Sequence, residues 1–421
     1  MDHFTYRDGE LFAEDIPLSR IAAEVGTPCY VYSQATFERH AQVFRDGLNA
    51  VEAPVHIAFA IKSNPNLGVL RVLANQGFGA DVVSAGEMHR AIAAGIAPSE
   101  IVFSGVGKSE RELIAALDAG IGQFNLELEE EGVVLSRLAA ERGIRAPCVI
   151  RVNPDVDART HAKISTGKAE NKFGLPISDA RAIFDRLAPL PGLTLRGVAC
   201  HIGSQLGTLE PLRAAYVKIG ELVQELRAAG HVVTHVDLGG GLGVPYRPAD
   251  SFPSPADYGA MVAEVTRGWN VTLMFEPGRV IAGNAGVLLT EVLWVKPGVA
   301  NPYVIIDAAM NDLMRPALYD AYHDFVAVRP DGERMTANIA GPVCESGDTF
   351  AMGRDIDRVA RGDLAVLRTA GAYGATMAST YNSRDLVPEV LVNGDRYAVV
   401  ADRIPAGTVM AAERVPEWLK A

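Results

Sequence analysis

Between residues 54 and 280 one unit recurs: a short β-branched apolar run, a polar or glycine-rich turn, then a helical stretch. The runs are VHIAFAIK (55–62), GFGADVVS (77–84), IVFSGVG (101–107), IGQFNL (121–126), PCVIRVN (147–153), LRGVACHIG (195–203), HVDLGGG (235–241) and TLMFEPGR (272–279). About eight strand–helix units is the number that closes a (β/α)8 barrel. Runs that are apolar on both faces suit a parallel sheet covered by helices. The helices are amphipathic: Leu212, Ala215, Ile219, Leu222, Val223 and Leu226 recur at helical spacing, and Gly230 then stops the helix. An open doubly wound sheet is the other arrangement for alternating strands and helices. The count of units, and the place of the reactive residues, favour the barrel.

The rest of the chain has a different texture. Residues 285–421 hold strand-like segments such as GVLLTEVLWVK, PYVIIDA, RMTANIAG, LAVLRTAG and PEVLVNGDRYAVVA, separated by turn residues and with few helix signals. They predict a mainly antiparallel β domain. The start, ELFAEDIPLSRIAAEVGTPCYVYS, reads as a short helix and a strand that joins this domain. The expected division is a barrel over 31–283 and a discontinuous β domain from 1–30 and 284–421. One soft loop is expected at 247–258.

A length of 421 residues accommodates two such domains. With 48% hydrophobic and 21% charged residues the chain reads as soluble and globular. Its net charge of −12 disfavours a nucleic-acid surface. No apolar run approaches the roughly 18 residues of a membrane span, and MDHFTYRDGE does not read as a signal peptide. The four cysteines, Cys29, Cys148, Cys200 and Cys344, form no CxxC pair and read as reduced thiols in a cytoplasmic protein. No Cys/His cluster has metal-ligand spacing, so no metal is expected.

Active sites of such barrels lie at the carboxyl ends of the strands, and reactive residues collect there. Lys62 closes the apolar strand of AFAIKSNPN. Partial desolvation lowers the pKa of such an amine, and lysines of this kind form Schiff bases with carbonyl cofactors. A lysine snorkelling from a strand end is the plain alternative. Gly239-Gly240-Gly241 follow the seventh run, where these barrels often bind phosphate through bare backbone N–H groups; a tight turn needing positive φ would use the same residues. Glu276 ends the eighth run and could keep a pyridine nitrogen protonated, or else pair with Arg279. His201 could lay its ring against a planar cofactor, or be a satisfied core histidine. Ser204 could donate to a phosphate, or cap a helix.

Taken in order, AFAIKSNPN, ENKFGL, HIGSQ, DLGGGLG, EPGR, LMRPALYDAYH, GPVCESGD and AYGATMASTYNSR resemble the diaminopimelate decarboxylases, pyridoxal-phosphate enzymes of the alanine-racemase fold. The resemblance runs over nearly the whole chain. It implies a (β/α)8 barrel with a β domain, a homodimer with active sites at the interface, and pyridoxal 5′-phosphate as cofactor. The activity implied is conversion of meso-diaminopimelate to L-lysine and CO2, the last step of lysine biosynthesis. By motif, Lys62 resembles the cofactor-linked lysine and His201 the stacked ring. Gly241, with Gly240 beside it, matches the phosphate loop. Glu276, Gly278 and Arg279 match the segment that meets the pyridine nitrogen and phosphate. Arg279, Arg315 and Tyr319 resemble substrate-carboxylate binders. Cys344 resembles the proton donor, Glu345 the residue that reads the distal end, and Tyr373 a contact to both cofactor and substrate. A serine in FAIKSN replaces the alanine of many relatives.

These residue types suit a substrate with two amino-carboxylate ends. Arginines can form bidentate pairs with carboxylates, a glutamate can accept from the distal ammonium, and a thiol can act as an acid near neutral pH, a role that Lys62 or water could also fill. Without the resemblance, Arg315 and Tyr319 would read as an exposed turn and Cys344 as a buried thiol. The neighbouring possibility is a decarboxylase of the same fold acting on another basic amino acid or a carboxylated polyamine; Arg315 disfavours substrates that lack a distal carboxylate. A racemase is disfavoured by Glu276. From a different class, a non-catalytic cofactor-binding regulator is disfavoured by Lys62, Glu276 and Cys344 together.

Overall fold

The computed structural model describes residues 2–158, 166 and 171–420. The chain forms two compact units: Phe37–Pro245 with Ala249–Ile281, and Met1–Thr36 with Tyr246–Pro248 and Ala282–Ala421.

The first unit is a closed ring of eight parallel strands: β1 (Val55–Ala60), β2 (Gly79–Val82), β3 (Ile101–Phe103), β4 (Gln123–Leu126), β5 (Ala146–Asn153), β6 (Leu193–Ala199), β7 (His235–Asp237) and β8 (Thr272–Phe275). Pairing of Leu273 with Val55 joins β8 to β1, and pairing of Phe124 with Cys148 joins β4 to β5. Closure excludes the open sheet. The strands β2, β3 and β4 are buried along their whole length, as expected where helices cover the outside and side chains fill the inside.

A helix follows each strand in register with its apolar stripe. Glu210–Ala228 buries Leu212, Ala215, Ile219, Leu222, Val223 and Leu226, the spacing read from the sequence. Several starts are capped by hydroxyls. Ser84 accepts from the Glu87 amide, and Ser109 with Glu112 forms a reciprocal box at Glu110–Ala119. Each such cap stabilises its helix by about 1 kcal/mol. The expected loop at 247–258 is too long: helix Pro255–Val265 begins inside it. Ser254, Pro255 and Asp257 supply the cap, the first-turn proline and the box partner.

In the second unit, strand Cys29–Ser33 lies between Gly286–Lys296, antiparallel, and Glu389–Asn393, parallel. Tyr303–Ile306 also runs parallel to Arg334–Ala340, so the sheet is mixed, with the other pairings antiparallel. Leu11, Ile21, Val31, Val287, Leu289, Val366 and Val390 form its core. The N-terminal segment supplies helix Leu18–Val25 and strand Cys29–Ser33. It also forms a small sheet of Phe4–Arg7, Glu10–Ala13 and Ile16–Pro17 that the sequence reading did not anticipate.

Candidate active site

At the carboxyl ends of the barrel strands lies a cavity of about 440 Å³, lined among others by Lys62, Ser104, Asn125, Arg151, His201, Asp237 and Glu276. Three of the residues singled out from sequence, Lys62, His201 and Glu276, therefore share one space.

Lys62 sits in the single 3-10 turn, Ile61–Ser63, that follows β1. Its Nζ is 2.8 Å from Oδ2 of Asp81, and the lysine side chain is 37% exposed while that of Asp81 is fully buried. The expected desolvated amine is thus an ion-paired one. A buried carboxylate is costly without a partner, so Lys62 and Asp81 hold each other in place. The second oxygen, Asp81 Oδ1, is buried without a hydrogen-bond partner among the described residues.

Across the cavity two carboxyls meet. Asp237 ends β7 and Glu276 follows β8. Asn125 Nδ2 donates to Asp237 Oδ2 at 2.9 Å and to Glu276 Oε1 at 3.3 Å, and Ser104 Oγ donates to Glu276 Oε1 at 3.3 Å. Burial, then the charges of Asp237 and Asp81, push the Glu276 carboxyl well above the usual range, and Lys62 opposes this. Burial raises Asp237 as well, against the pull of its hydrogen bonds to Glu276, Gly239 and Asn125. Like charges this close favour a shared proton.

The glycine run packs too closely for side chains. A Cβ on Gly239 would lie 2.6 Å from the Cys200 carbonyl oxygen, one on Gly240 2.3 Å from that of Glu276, and one on Gly241 2.6 Å from that of Gly203. Gly239 and Gly241 also have φ of +65° and +119°. The tight turn and the bare backbone are one feature. The Gly240 amide donates to His201 Nδ1 at 3.1 Å, which places the proton of the neutral ring on Nε2. Burial, then the charges of Arg151 and Lys62, push the His201 ring well below its ordinary pKa, so it stays neutral.

Ser204 does not cap a helix: its hydroxyl accepts from Arg279 Nε and Nη2, each at 3.3 Å. A Cβ on Gly278 would lie 3.2 Å from Cβ of Ala60 and of Ser63, beside the turn that bears Lys62. A planar aldehyde with a phosphate fits this set. The cavity has the volume, Lys62 the amine, Glu276 a carboxyl for a ring nitrogen, and the glycine turn with Ser204 and Arg279 an anion cradle.

The remaining candidates belong to the β unit. Arg315, 6% exposed, opens the short helix Arg315–Tyr319. Its guanidinium lies 4.6 Å over the Tyr246 ring, and Nη1 is 2.8 Å from His323 Nε2. His323 Nδ1 lies 2.9 Å from the Arg368 carbonyl oxygen. Arg315 is therefore a fixed, buried cation, not a residue of an exposed turn. Tyr319 is half-buried, and Cys344 and Glu345 are exposed. Tyr373 has a φ of +56°, unusual for an aromatic residue and a mark of local strain. Glu170 of the ENKFGL motif lies outside the described residues.

Sequence reasoning missed Asp81, Asp237, Asn125, Ser104 and Arg151. Arg151 is neutralised by Glu127 at 2.7 Å, and its guanidinium lies 4.9 Å over the Phe173 ring. The available signal was a charged or amide side chain inside an otherwise apolar parallel strand.

The model of the pyridoxal-dependent decarboxylase, pyridoxal binding domain matches residues 34–283. A diaminopimelate decarboxylase of Zymomonas mobilis is 50% identical over 99% of each chain. The crystal structure of diaminopimelate decarboxylase from M. jannaschii in complex with L-lysine has a TM-score of 0.94 and 34% identity, covering 100% of this chain and 99% of that one. The Helicobacter pylori enzyme complexed with L-lysine has a TM-score of 0.90 and 36% identity, covering 94% and 98%. The chain belongs to the pyridoxal-dependent decarboxylases and, among them, to the diaminopimelate decarboxylase family.

Proposed function

We propose that the chain removes CO2 from meso-2,6-diaminopimelate to give L-lysine, using pyridoxal 5′-phosphate held by Lys62, as a cytosolic homodimer whose protomers complete each other's sites. The observation that carries the chemistry is the convergence in one cavity of a lysine, a histidine ring and a carboxyl pair, with a glycine turn packed against the backbone of the lining residues Cys200 and Glu276. Relatives of that name, similar over the full length, support the substrate. The free thiols Cys29, Cys148, Cys200 and Cys344 support a reducing compartment. Among the described residues no helix is long and apolar enough to cross a membrane.

When bound, the cofactor supplies a sink for the electron pair left behind as CO2 departs. Lys62 would present the amine that carries it, and Asp81, 2.8 Å from that amine, would hold it whenever it is charged. Glu276, backed by Asp237, keeps a proton at the ring nitrogen. His201, neutral and hydrogen-bonded by Gly240, offers a flat face without adding charge. Gly241, Gly278, Ser204 and Arg279 would hold the phosphate, with Gly240 beside them keeping His201 in place. Arg279, Arg315 and Tyr319 bind substrate carboxylates, which orients the scissile bond. Tyr373 contacts cofactor and substrate, Glu345 accepts from the distal ammonium, and Cys344 returns a proton to the α-carbon.

The test mixes purified protein with meso-diaminopimelate, L-lysine or L-ornithine, with and without added pyridoxal phosphate, and measures CO2. Release from diaminopimelate alone, dependent on the cofactor, is expected. Release from ornithine or lysine in preference would replace the substrate assignment, and none from any would leave a cofactor-binding protein without this activity.

A further inference from the structure

The turn bearing Cys344 and Glu345 is exposed, yet a buried carboxylate organises it. Asp348 is 2% exposed. One of its oxygens, Oδ2, accepts from the Val343 amide at 2.7 Å, and the other, Oδ1, accepts from the Met310 amide at 2.7 Å. Its own amide donates to the Glu345 carbonyl at 3.1 Å, and the Glu345 amide donates to Val343 at 2.8 Å. The Gly341 amide closes the loop onto the Asp348 carbonyl at 3.1 Å. A Cβ on Gly341 would stand 2.4 and 2.5 Å from the two carboxylate oxygens, so the turn is wrapped directly on this group. From outside, Asn382 Oδ1 accepts from the Cys344 amide at 3.1 Å.

Met310 lies in the loop that leads to Arg315, and the same loop is stiffened by Asp312 Oδ2 accepting from the Ala309 amide at 2.8 Å. The two oxygens of one side chain therefore tie together two segments more than thirty residues apart in sequence. Each bond is a charge-assisted one to a backbone N–H, the strong kind. Burial pushes the Asp348 carboxyl up, while the Val343 and Met310 amides pull it back.

We infer that Asp348 is a positioning residue that sets the Cys344–Glu345 turn against the segment leading to Arg315, and so fixes the spacing between proton donor, distal-end reader and carboxylate binder. This rests on the proposed roles of those three residues. Asparagine at 348 keeps one acceptor oxygen and cannot serve both amides; alanine serves neither.

The experiment compares holoenzyme of the wild type, Asp348→Asn and Asp348→Ala. Steady-state kinetics with meso-diaminopimelate are measured beside the alkylation rate of Cys344 by iodoacetamide; Cys29, Cys148 and Cys200 are buried. Thermal midpoint and cofactor absorbance identify folded, loaded protein. The expected result for Asp348→Asn is a KM raised about tenfold, larger than its fall in kcat. A Cys344 alkylation rate altered at least about threefold, with cofactor absorbance retained, is expected with it. Asp348→Ala should move both further; if it does not fold, Asp348→Asn alone decides. Either readout unchanged in folded Asp348→Asn overturns the inference, as does a loss of activity that only tracks loss of folded protein. Alkylation needs no turnover, so it tests the positioning role even where CO2 release from diaminopimelate fails and the functional reading falls.

Discussion

Gly240→Ala is the most direct test of how the barrel mouth is built. The new Cβ would stand 2.3 Å from the carbonyl oxygen of Glu276. Ordinary contact begins about 1 Å farther out. Neither side can yield as a flexible side chain would, because both are backbone. The Glu276 amide also donates to the Gly239 carbonyl at 2.7 Å, which locks the ends of β7 and β8 together. Relief must come from moving the two strand ends apart, and that carries Glu276 with it. Overpacking of this kind costs about 1–3 kcal/mol of stability. A displacement of about 1 Å in a reacting geometry costs on the order of 100-fold in rate. We expect a lower thermal midpoint, weaker cofactor binding and kcat/KM reduced on the order of 100-fold. The control is Gly86→Ala in helix Ala85–Ala93, where the nearest atom to a Cβ is Ser84 Oγ at 3.6 Å. It should leave activity unchanged and stabilise by up to about 1 kcal/mol. Wild-type midpoint and rate in Gly240→Ala would show that the glycine run does not press on the Glu276 backbone, and the placement of the carboxyl pair would fall with it.

Lys62→Ala should abolish both activity and the visible absorbance of lysine-bound cofactor; normal turnover in that variant would refute the assignment. Glu276→Gln should cut the rate sharply with cofactor still bound, and an unchanged rate would remove the ring-nitrogen role. Burial, then Arg196 and His56, lower His235 to about 4, against about 6.5 when unfolded. The unfolded state then binds the proton more readily, so stability is present above pH 6.5 and lost as pH falls from there through about 4. His201 acts in the same direction, whereas the raised carboxyls Asp237 and Glu276 stabilise at low pH and lose that contribution as pH rises through their folded values. His235→Gln should therefore flatten the fall in unfolding midpoint between pH 7 and pH 5; an unaltered slope would mean that His235 does not titrate abnormally.

The barrel is legible because its strands are buried on both faces at their carboxyl ends, and β2, β3 and β4 throughout, which writes short apolar runs, and each helix buries one stripe, which writes a 3.6-residue period. The start of helix Pro255–Val265 is legible too, through Ser254, Pro255 and Asp257, inside the segment expected to be a loop. The sheet of Phe4–Arg7, Glu10–Ala13 and Ile16–Pro17 was not, since segments of two to four residues are too short to accumulate a period. Parallel pairing of Cys29–Ser33 with Glu389–Asn393 joins positions more than 350 residues apart, beyond any local pattern. The same limit applies at the site. Lys62, Glu276 and the glycines stand out by residue type at a strand end. Asp81, Asn125 and Asp237 acquire meaning only when β2, β4 and β7 are curled into one ring.

That ring also makes the charge distribution intelligible. Asp237 and Glu276 line the cavity and Asp81 is buried beside it against Lys62, a costly concentration of one sign in a buried place. Arg151 does not compensate them, because Glu127 already neutralises it at 2.7 Å. Lys62 balances Asp81, which leaves the Asp237–Glu276 pair, whose coupling favours one retained proton and one residual negative charge. A cavity with that remainder suits a ligand that brings a protonated ring nitrogen to Glu276 and an anion to the glycine turn on the same rigid frame. It does not suit an anion at both ends. Glu276 is half of a pair, and on the proposed assignment the pair would favour a positive ring nitrogen there.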